Sequence, residues 1–175
     1  ERGGTVIDSS PMYGTSEAVI GHCLARIGHE GPLFSATKVW MPLKWFGPGQ
    51  MAESRALWGV PRFDLMQIHN LLSWEGHLET LLEDKAAGRI RYVGITTSHG
   101  RRHDEFERIM ATQPLDFVQF TYNILDREAE ARLLPLAAER GQAVLINRPF
   151  RQKQLFRTFG HQPLPGWAGE IGCAN

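Results

Sequence analysis

Short apolar runs rich in β-branched and aromatic residues alternate with longer segments of helical spacing along the chain. The runs predict β-strands, because they are short and are bounded by turn-forming residues. Their near-continuous apolar character is typical of a parallel sheet that is covered on both faces. The predicted strands are TVID (5–8), LFSATKV (33–39), FDLMQIH (63–69), IRYVGIT (90–96), LDFVQF (115–120) and AVLIN (143–147).

The segments between the strands predict helices, several of which begin near Ser or Asp and end at Gly. The first begins at Ser16, and the others are predicted near 49–58, around Leu78, Leu81 and Leu82 up to Gly88, over 103–111, and over 127–140 up to Gly141. From Arg151 onward, the sequence predicts a long loop that enters a helix near Trp167.

The first helix carries an apolar face and one of the two cysteines of the chain. Its face is formed by Val19, Ile20, Leu24 and Ile27. We expect Cys23 to be a small residue of the core rather than a nucleophile.

The carboxyl ends of successive predicted strands are evenly spaced. From Asp8 to Lys38 is 30 residues and from Lys38 to His69 is 31, and the next intervals, ending at Thr96, Gln119 and Asn147, are 27, 23 and 28. Such a strand–helix period implies a parallel sheet. A closed eight-stranded βα barrel needs about 250 residues. We therefore predict an α/β fold of (β/α)8 TIM-barrel type, partial, with about six βα units in one domain over residues 1–175.

An open, doubly wound sheet would also accommodate six strands. That fold usually has a glycine-rich phosphate loop directly after a strand. The nearest candidate, Gly47-Pro48-Gly49, has too few glycines for such a loop.

Composition excludes several functional classes. Nineteen basic side chains balance 19 acidic ones, so no net charge attracts nucleic acid or an anionic membrane. No apolar run approaches the roughly 20 residues of a membrane span. With two cysteines, no disulfide framework or zinc cluster is indicated, and the pair His99 and His103 lacks a third ligand. We expect no metal, no nucleic acid and no membrane partner.

The N-terminus looks cut, because Glu1 is preceded by no initiator Met, signal peptide or transit peptide. We expect a cytoplasmic protein, although an export signal would lie in the missing part. The oligomeric state is not readable from the sequence.

Four polar residues stand at or just after predicted strand ends: Asp8, Tyr13, Lys38 and His69. In a parallel barrel, functional groups gather at the carboxyl ends of the strands. Taken singly, each residue has an ordinary structural explanation as a cap, a packed aromatic, a solvated cation or a structural histidine. Taken together in register, they indicate a site that donates a proton to a carbonyl oxygen.

A division of roles follows from their chemistry. A free tyrosine has a pKa of about 10, and we expect the ammonium of Lys38 to lower the pKa of Tyr13. Asp8 would supply the counter-charge that a buried lysine needs. His69 would hydrogen-bond the carbonyl oxygen and orient it.

The ordered motifs D-S-S-P-M-Y-G-T-S-E, S-A-T-K-V, Q-I-H-N, G-R-I-R-Y-V-G-I-T, V-Q-F-T-Y-N and L-I-N-R-P-F cover most of residues 3–150. In this order they resemble the aldo-keto reductases. The resemblance implies a (β/α)8 barrel and reversible hydride transfer between a nicotinamide cofactor and aldehydes or ketones. It implies Tyr13 as the general acid, Lys38 and Asp8 as the pair that tunes it, and His69 as the residue that orients the substrate.

The resemblance also implies a cofactor site, for NADP(H) more than for NAD(H). Thr96, Thr97 and Gln119 match the positions that hold the nicotinamide carboxamide, although the family often has Ser-Asn where this chain has Thr96-Thr97. Asn147 stands where an aromatic residue often stacks on the nicotinamide. Arg148 either meets the pyrophosphate or lies on the surface.

Two tryptophans follow strand ends and are candidates for the wall of a substrate pocket. Trp40 and Trp74 are placed to contact an apolar carbonyl compound. Packing between loop and barrel is the alternative for both.

By the same resemblance, the first strand of the barrel lies before residue 1 and the eighth lies after residue 175. We expect this chain alone to fold poorly or to bind cofactor weakly, because an open barrel exposes two strand edges. The alternatives to an enzyme are a non-catalytic nicotinamide-binding regulatory protein on the same scaffold, or an inactive truncated remnant.

Overall fold

Six parallel strands lie side by side in the order in which they occur along the chain. The computed structural model describes residues 4–27 and 33–173; the N-terminal Glu1 lies outside these residues. The strands are β1 (Val6–Asp8), β2 (Phe34–Val39), β3 (Phe63–Ile68), β4 (Ile90–Thr96), β5 (Phe117–Thr121) and β6 (Ala143–Asn147). Each predicted strand is present, and the predicted partial barrel is confirmed.

Helices alternate with the strands and cover one face of the curved sheet. They are α1 (Ser16–Ile27), α2 (Gly47–Trp58), α3 (Trp74–Ala86), α4 (His103–Thr112), α5 (Leu133–Arg140) and α6 (Gln154–Phe159). Short 3₁₀ turns lie at Lys44–Phe46, His69–Leu71, Glu128–Glu130 and Gly166–Ile171. None of the helices within the described residues combines the length and the apolar character that a membrane span requires.

Two predictions for the C-terminal third were wrong in detail. The helix predicted over 127–140 is divided, and α5 begins only at Leu133. Pro135 explains this, because proline is tolerated in the first turn of a helix but clashes with the preceding turn in its interior. After Arg151, the sequence predicted a long loop that enters a helix near Trp167. The structure has a 3₁₀ helix there, Gly166–Ile171, but α6 forms within the predicted loop.

The prediction that Cys23 lies in the core was also wrong. Its helix, α1, packs on the rest of the protein through Leu24, which is buried, and Ile20, which is partly buried. Val19, Cys23 and Ile27 are exposed. No described element covers this side of α1, so an apolar residue there is not a buried one.

The close packing of α1 against α2 depends on a glycine. A Cβ atom built on Gly21 would lie 1.7 Å from the backbone oxygen of Leu57 and 3.2 Å from Cα of Trp58. Only a residue without a side chain allows the two helix backbones to approach so closely.

We expect Gly21→Ala to lower the free energy of unfolding by about 2 kcal/mol, because the added methyl group forces the helices apart. Gly49→Ala is the matched control, since nothing lies within 4 Å of its Cβ position in α2 and alanine is the better helix former. Urea unfolding of both variants checks this. Equal stability of Gly21→Ala and the native protein would contradict the packing described.

The two faces of the sheet have different environments. Val39, Ile68 and Ile95 belong to the core between the strands and the helices. Successive side chains of a strand point to opposite faces, so Lys38 and Gln67, each next to one of these residues, face the interior of the partial barrel. Adjacent residues of these strands therefore face the apolar core on one side of the sheet and the polar interior of the partial barrel on the other.

A buried carboxylate joins α1, α2 and β2 behind the site. Glu17 is 3 % exposed, and it accepts hydrogen bonds from Thr37, Ser54 and Trp58. Buried polar groups are stable when they are hydrogen-bonded. This network fixes α1, and with it the loop from Ser9 to Thr15, against the strand that carries Lys38.

Candidate active site

The structure brings Asp8, Tyr13, Lys38 and His69 together at the carboxyl ends of the strands. Lys38 is 1 % exposed, and its Nζ donates to Asp8 Oδ2 at 2.7 Å and to the backbone oxygen of Ser9 at 2.7 Å. Asp8 ends β1 and Lys38 is the penultimate residue of β2, so neighbouring parallel strands deliver both charges to one rim. The expected counter-charge for the buried lysine is present.

Two glutamines complete the environment of Asp8. Gln67 Nε2 donates to Asp8 Oδ1 at 3.0 Å, and Gln119 Nε2 donates to Asp8 Oδ2 at 3.0 Å. The carboxylate therefore receives donors from three strands, and one of these contacts spans 111 residues of sequence. Such a set of hydrogen bonds holds the carboxylate in one orientation.

Tyr13 stands above this ion pair. It lies in the loop after β1, and its ring is 48 % exposed. Lys38 Nζ is 5.2 Å from the centre of the ring, and the ring of His69 packs edge-on against it with centroids 5.7 Å apart. Among the described residues, the phenol hydroxyl makes no hydrogen bond, so it is available to a ligand.

The prediction that Lys38 lowers the pKa of Tyr13 was wrong. The pKa of Tyr13 is raised above its ordinary value, first by burial and then by the charge of Asp8. Burial of the phenol is the larger cause of the raised pKa, and Asp8, which lies against Lys38 and offsets its positive charge, adds to it. At neutral pH, Tyr13 is therefore a neutral phenol that carries a proton.

Burial disfavours the charged form of Lys38. Burial lowers the pKa of Lys38, whereas the charge and hydrogen bond of Asp8 raise it, and burial outweighs them. Desolvation disfavours the charged form of a buried amine. Asp8 and the Ser9 carbonyl therefore counteract the cost of keeping this cation inside the protein.

His69 follows β3 and is 4 % exposed. Burial and the nearby charge of Lys38 lower its pKa to about 4, with Asp8 acting in the opposite direction. The imidazole is thus neutral at physiological pH. Its Nδ1 lies 2.7 Å from Ser10 Oγ, which belongs to the loop after β1.

This lowered pKa makes stability depend on pH. The unfolded chain binds a proton at His69 near pH 6.5, whereas the folded protein does so only near pH 4. Between these values the unfolded state binds more protons, so the free energy of unfolding falls as the pH falls from 6.5 toward 4.

We expect His69→Gln to show a shallower loss of stability than the native protein over that interval. Urea unfolding at a series of pH values measures it. His22→Gln, which replaces an exposed histidine of α1, is the control and should keep the native dependence. Identical pH profiles for His69→Gln and the native protein would refute the buried, neutral imidazole.

The turn after His69 has an unusual backbone that is fixed from a neighbouring loop. Asn70 and Leu71 have φ angles of 52° and 57°, a region that L-residues adopt at a cost. Arg102 Nη1 donates to the carbonyl oxygens of both residues, at 3.0 and 3.2 Å. Asn70 N donates to Thr96 Oγ1 at 2.9 Å, so the turn is held from both sides.

A cavity of about 610 Å³ opens above these residues, within the size range of small-molecule sites. Tyr13, Lys38 and His69 form part of its wall. The remainder comes from β4, β5 and β6 and from the loops after β1, β3, β4 and β6: Met12, Asn70, Thr96, Thr97, Ser98, His99, Arg101, Arg102, Gln119, Asn147, Arg148 and Gln152.

The five residues proposed from the sequence for cofactor binding all line this cavity, but they differ in the atoms they have free. Thr97 Oγ1 donates to the Arg101 carbonyl. Asn147 Nδ2 donates to the Thr97 carbonyl oxygen at 2.7 Å, and Asn147 Oδ1 accepts from Thr121 Oγ1 at 2.5 Å. These two residues therefore brace the rim.

Gln119 and Thr96 retain free hydrogen-bonding capacity. No hydrogen bond in the described part of the chain uses Gln119 Oε1. The Thr96 hydroxyl oxygen accepts a hydrogen bond from Asn70 N, and its own proton remains free to donate.

Arg148 contacts the ring of His99 through Nη1, and the pKa of that histidine is lowered by burial and by Arg148.

The two tryptophans lie outside the wall of the main cavity. Trp40 is 42 % exposed, lies 6.5 Å from the ring of His69, and lines an adjoining apolar depression with Pro11, Met41, Pro42, Gln50 and Leu72. Trp74 begins α3 and packs partly buried against the core. Trp40 thus lies beside the cavity, whereas Trp74 packs between loop and barrel, which was the alternative to a role in the pocket wall.

Sequence reasoning did not identify Gln67 and Ser10 as part of this site. Gln67 interrupts the apolar run Leu65–Ile68 of β3 two residues before His69, and the alternation of side chains in a strand would have placed both on one face. Ser10 gave no such signal, because its contact with His69 spans 59 residues.

Comparison with known proteins identifies relatives of one kind. A family model described as the aldo/keto reductase family matches residues 1–166. Among curated proteins, aldo-keto reductase YhdN of Bacillus subtilis (strain 168) is 29 % identical, with 83 % of this chain and 48 % of that protein covered. The NADH-specific methylglyoxal reductase of Escherichia coli (strain K12) is 26 % identical, with 95 % and 58 % covered.

Solved structures with a similar fold carry the same description. An aldo-keto reductase of Bacillus halodurans in its holo form is 26 % identical, with a TM-score of 0.72 and with 93 % of this chain and 55 % of that chain covered. An aldo/keto reductase of Klebsiella pneumoniae in complex with NADP and acetate is 22 % identical, with a TM-score of 0.78 and 96 % and 62 % covered. The chain thus spans about half to three-fifths of the length of these relatives.

Proposed function

Because the chain belongs to the aldo/keto reductase family, we propose that its protein reduces the carbonyl group of small aldehydes or ketones with a reduced nicotinamide cofactor. The observation that carries this proposal is the free hydroxyl of Tyr13, which faces the cavity beside the Lys38–Asp8 pair and His69. A neutral phenol in that position is a proton donor to a bound carbonyl oxygen.

Proton donation by Tyr13 is the acid half of the reaction. As a carbonyl is reduced, its oxygen becomes an alkoxide, which is a far stronger base than a phenolate. Tyr13 keeps its proton until that basicity develops, because its pKa is raised by burial and Asp8. The phenolate that remains then lies near the ammonium of Lys38, 5.2 Å from the ring centre, which stabilises it.

His69 and the Asp8 network perform orienting roles in this proposal. A neutral imidazole donates one hydrogen bond to the carbonyl oxygen without carrying a positive charge itself. Asp8 holds Lys38 at 2.7 Å, and the two glutamines hold Asp8. The position of the cation beside the proton donor is therefore set before a substrate binds, which lowers the barrier by preorganisation.

The residues of the cavity suit a nicotinamide group, which when bound supplies a hydride to the carbonyl carbon. A carboxamide needs an acceptor for its N–H and a donor for its oxygen, and Gln119 Oε1 and the hydroxyl proton of Thr96 are free for these roles. Arg148 and Arg101 add positive charge to the same cavity, which suits phosphate groups. Thr97 and Asn147 support these residues by bracing the loops.

We infer from the family resemblance that NADPH is the preferred cofactor. One relative, by contrast, is NADH-specific by name. We also infer that residues 1–175 belong to one domain and that the protein is cytoplasmic. The cysteines Cys23 and Cys173 are free and exposed, which suits a reducing compartment.

A spectrophotometric assay of the full-length protein tests the proposal. Reduced cofactor should be consumed when small aldehydes and ketones are added, and not without them, with NADPH and NADH compared side by side. Tight cofactor binding without turnover across the carbonyl panel would instead favour a non-catalytic nicotinamide-binding protein. Failure to bind either cofactor would overturn the proposal.

A further inference from the structure

The hydroxyl of Ser10 is the direct partner of His69. Ser10 is fully buried and His69 is 4 % exposed, and Ser10 Oγ lies 2.7 Å from the ring nitrogen Nδ1. The bond joins the loop after β1 to the end of β3, and therefore connects the segment that carries Tyr13 with the imidazole. The opposite ring nitrogen, Nε2, makes no hydrogen bond in the described part of the chain, and His69 lines the cavity.

Counting protons at Ser10 decides which nitrogen of His69 carries hydrogen. A serine hydroxyl has one proton to donate and two lone pairs to accept with. The backbone N–H of Met12 donates to Ser10 Oγ at 3.2 Å. Within the described residues, the acceptor that remains for the hydroxyl proton of Ser10 is His69 Nδ1.

The opposite arrangement would leave a buried donor without a partner. If Nδ1 carried the proton, Ser10 Oγ would accept from both Met12 and His69, and its own hydrogen would face a packed interior. A buried polar group without a partner loses its hydrogen bonds to water without compensation. The hydrogen-bond network therefore favours Nδ1 as acceptor and Nε2 as the protonated nitrogen.

We infer that Ser10 is a positioning residue that fixes His69 in the Nε2–H tautomer and directs that N–H into the cavity. The consequence for carbonyl reduction rests on the proposed function. The Nε2–H tautomer donates a hydrogen bond to a carbonyl oxygen, whereas the other tautomer would present a lone pair to it and repel it. Ser10 thus determines whether His69 attracts or repels the reacting group.

The surroundings of the ring favour this neutral donor. Tyr13 packs on one side of the imidazole and Trp40 lies beyond it, while Lys38 and Asp8 lie nearby with opposite charges. Burial and Lys38 together hold the pKa of His69 near 4, so the ring has one N–H rather than two at neutral pH. A single hydrogen bond from Ser10 then suffices to choose its position.

Nuclear magnetic resonance tests the assignment directly. Long-range ¹H–¹⁵N correlation of histidine rings in the full-length protein at pH 7 reports which nitrogen is protonated, and the His69 signals are identified by their loss in His69→Gln. We expect a protonated Nε2 and a hydrogen-bonded, unprotonated Nδ1. In Ser10→Ala, the hydrogen bond to Nδ1 is lost, so the Nδ1 resonance should move and a fraction of His69 should shift to the Nδ1–H tautomer.

The same variant has a kinetic signature. Loss of one orienting hydrogen bond should lower kcat for carbonyl reduction about tenfold, with cofactor affinity unchanged. Ser35→Ala is the matched control, because Ser35 is a similarly buried serine that bonds to Asp64 at the start of the neighbouring strands. It should leave the His69 spectrum unchanged.

A proton on Nδ1 of His69 in the native protein would overturn the inference, as would an unchanged Nδ1 resonance in Ser10→Ala. The native spectrum decides the question even if Ser10→Ala does not fold. The spectrum does not depend on turnover. A protein that shows the bonded Nε2–H tautomer but reduces no carbonyl would support this inference and refute the proposed function.

Discussion

Replacement of Tyr13 by phenylalanine should lower the rate of carbonyl reduction by about 10³-fold while leaving cofactor binding intact. The variant removes a single hydroxyl that makes no hydrogen bond to any described residue, so the ring packing against His69 and the Lys38–Asp8 pair survive. General acids typically contribute 10²- to 10⁴-fold to a rate. Steady-state kinetics together with a cofactor fluorescence titration measure both effects.

A matched control comes from another tyrosine of the chain. Tyr92 lies in β4 at the far end of the strands, where its ring stacks on Phe34 and packs at a tilt against Phe117. Tyr92→Phe keeps an aromatic ring there and should retain activity. If Tyr13→Phe kept most of its activity as well, Tyr13 would not be the acid and the proposed reaction would need another proton donor.

Replacement of Lys38 by methionine should have the largest effect on stability and a large effect on turnover. Methionine has a similar length but no charge, so Asp8, whose side chain is 24 % exposed, would remain as a carboxylate that receives only the two glutamine amides. Removal of one partner of a buried ion pair costs about 3 kcal/mol. Activity should fall about a hundredfold, because the phenolate of Tyr13 would lose its stabilising cation.

Two further variants separate stability from chemistry. Lys38→Met combined with Asp8→Asn removes both charges, and we expect it to recover most of the lost stability but none of the activity. Lys85→Met removes the Lys85–Asp116 ion pair at the opposite end of the sheet and should leave turnover intact. Full activity in the charge-free double variant would show that the Lys38–Asp8 pair has only a structural role.

The strands and the rim were predictable from the sequence because their signals are local. Each strand is a short apolar run between turn residues, and the regular spacing of Asp8, Lys38 and His69 follows from one βα unit per strand. In a parallel sheet, strand ends share an edge by geometry. These residues were therefore brought together by the period alone.

Properties that depend on how deeply a side chain is buried, or on partners far away in the sequence, were not predictable. The sign of the Tyr13 pKa shift depends on how deeply the ring is buried and how near Asp8 lies, and neither is written in a local pattern. Gln119 was expected to serve a cofactor, yet its amide also holds Asp8 across 111 residues. Cys23 lies on an apolar helix face that no described element covers.

Isotope transfer tests the central claim most directly. The full-length protein is incubated with a carbonyl substrate and reduced nicotinamide cofactor deuterated at the two faces of C4 in separate experiments. We predict deuterium at the carbinol carbon of the product from one of the two labelled cofactors, with its rate of appearance reduced about 10³-fold in Tyr13→Phe. Cofactor binding without deuterium in any product would contradict the account.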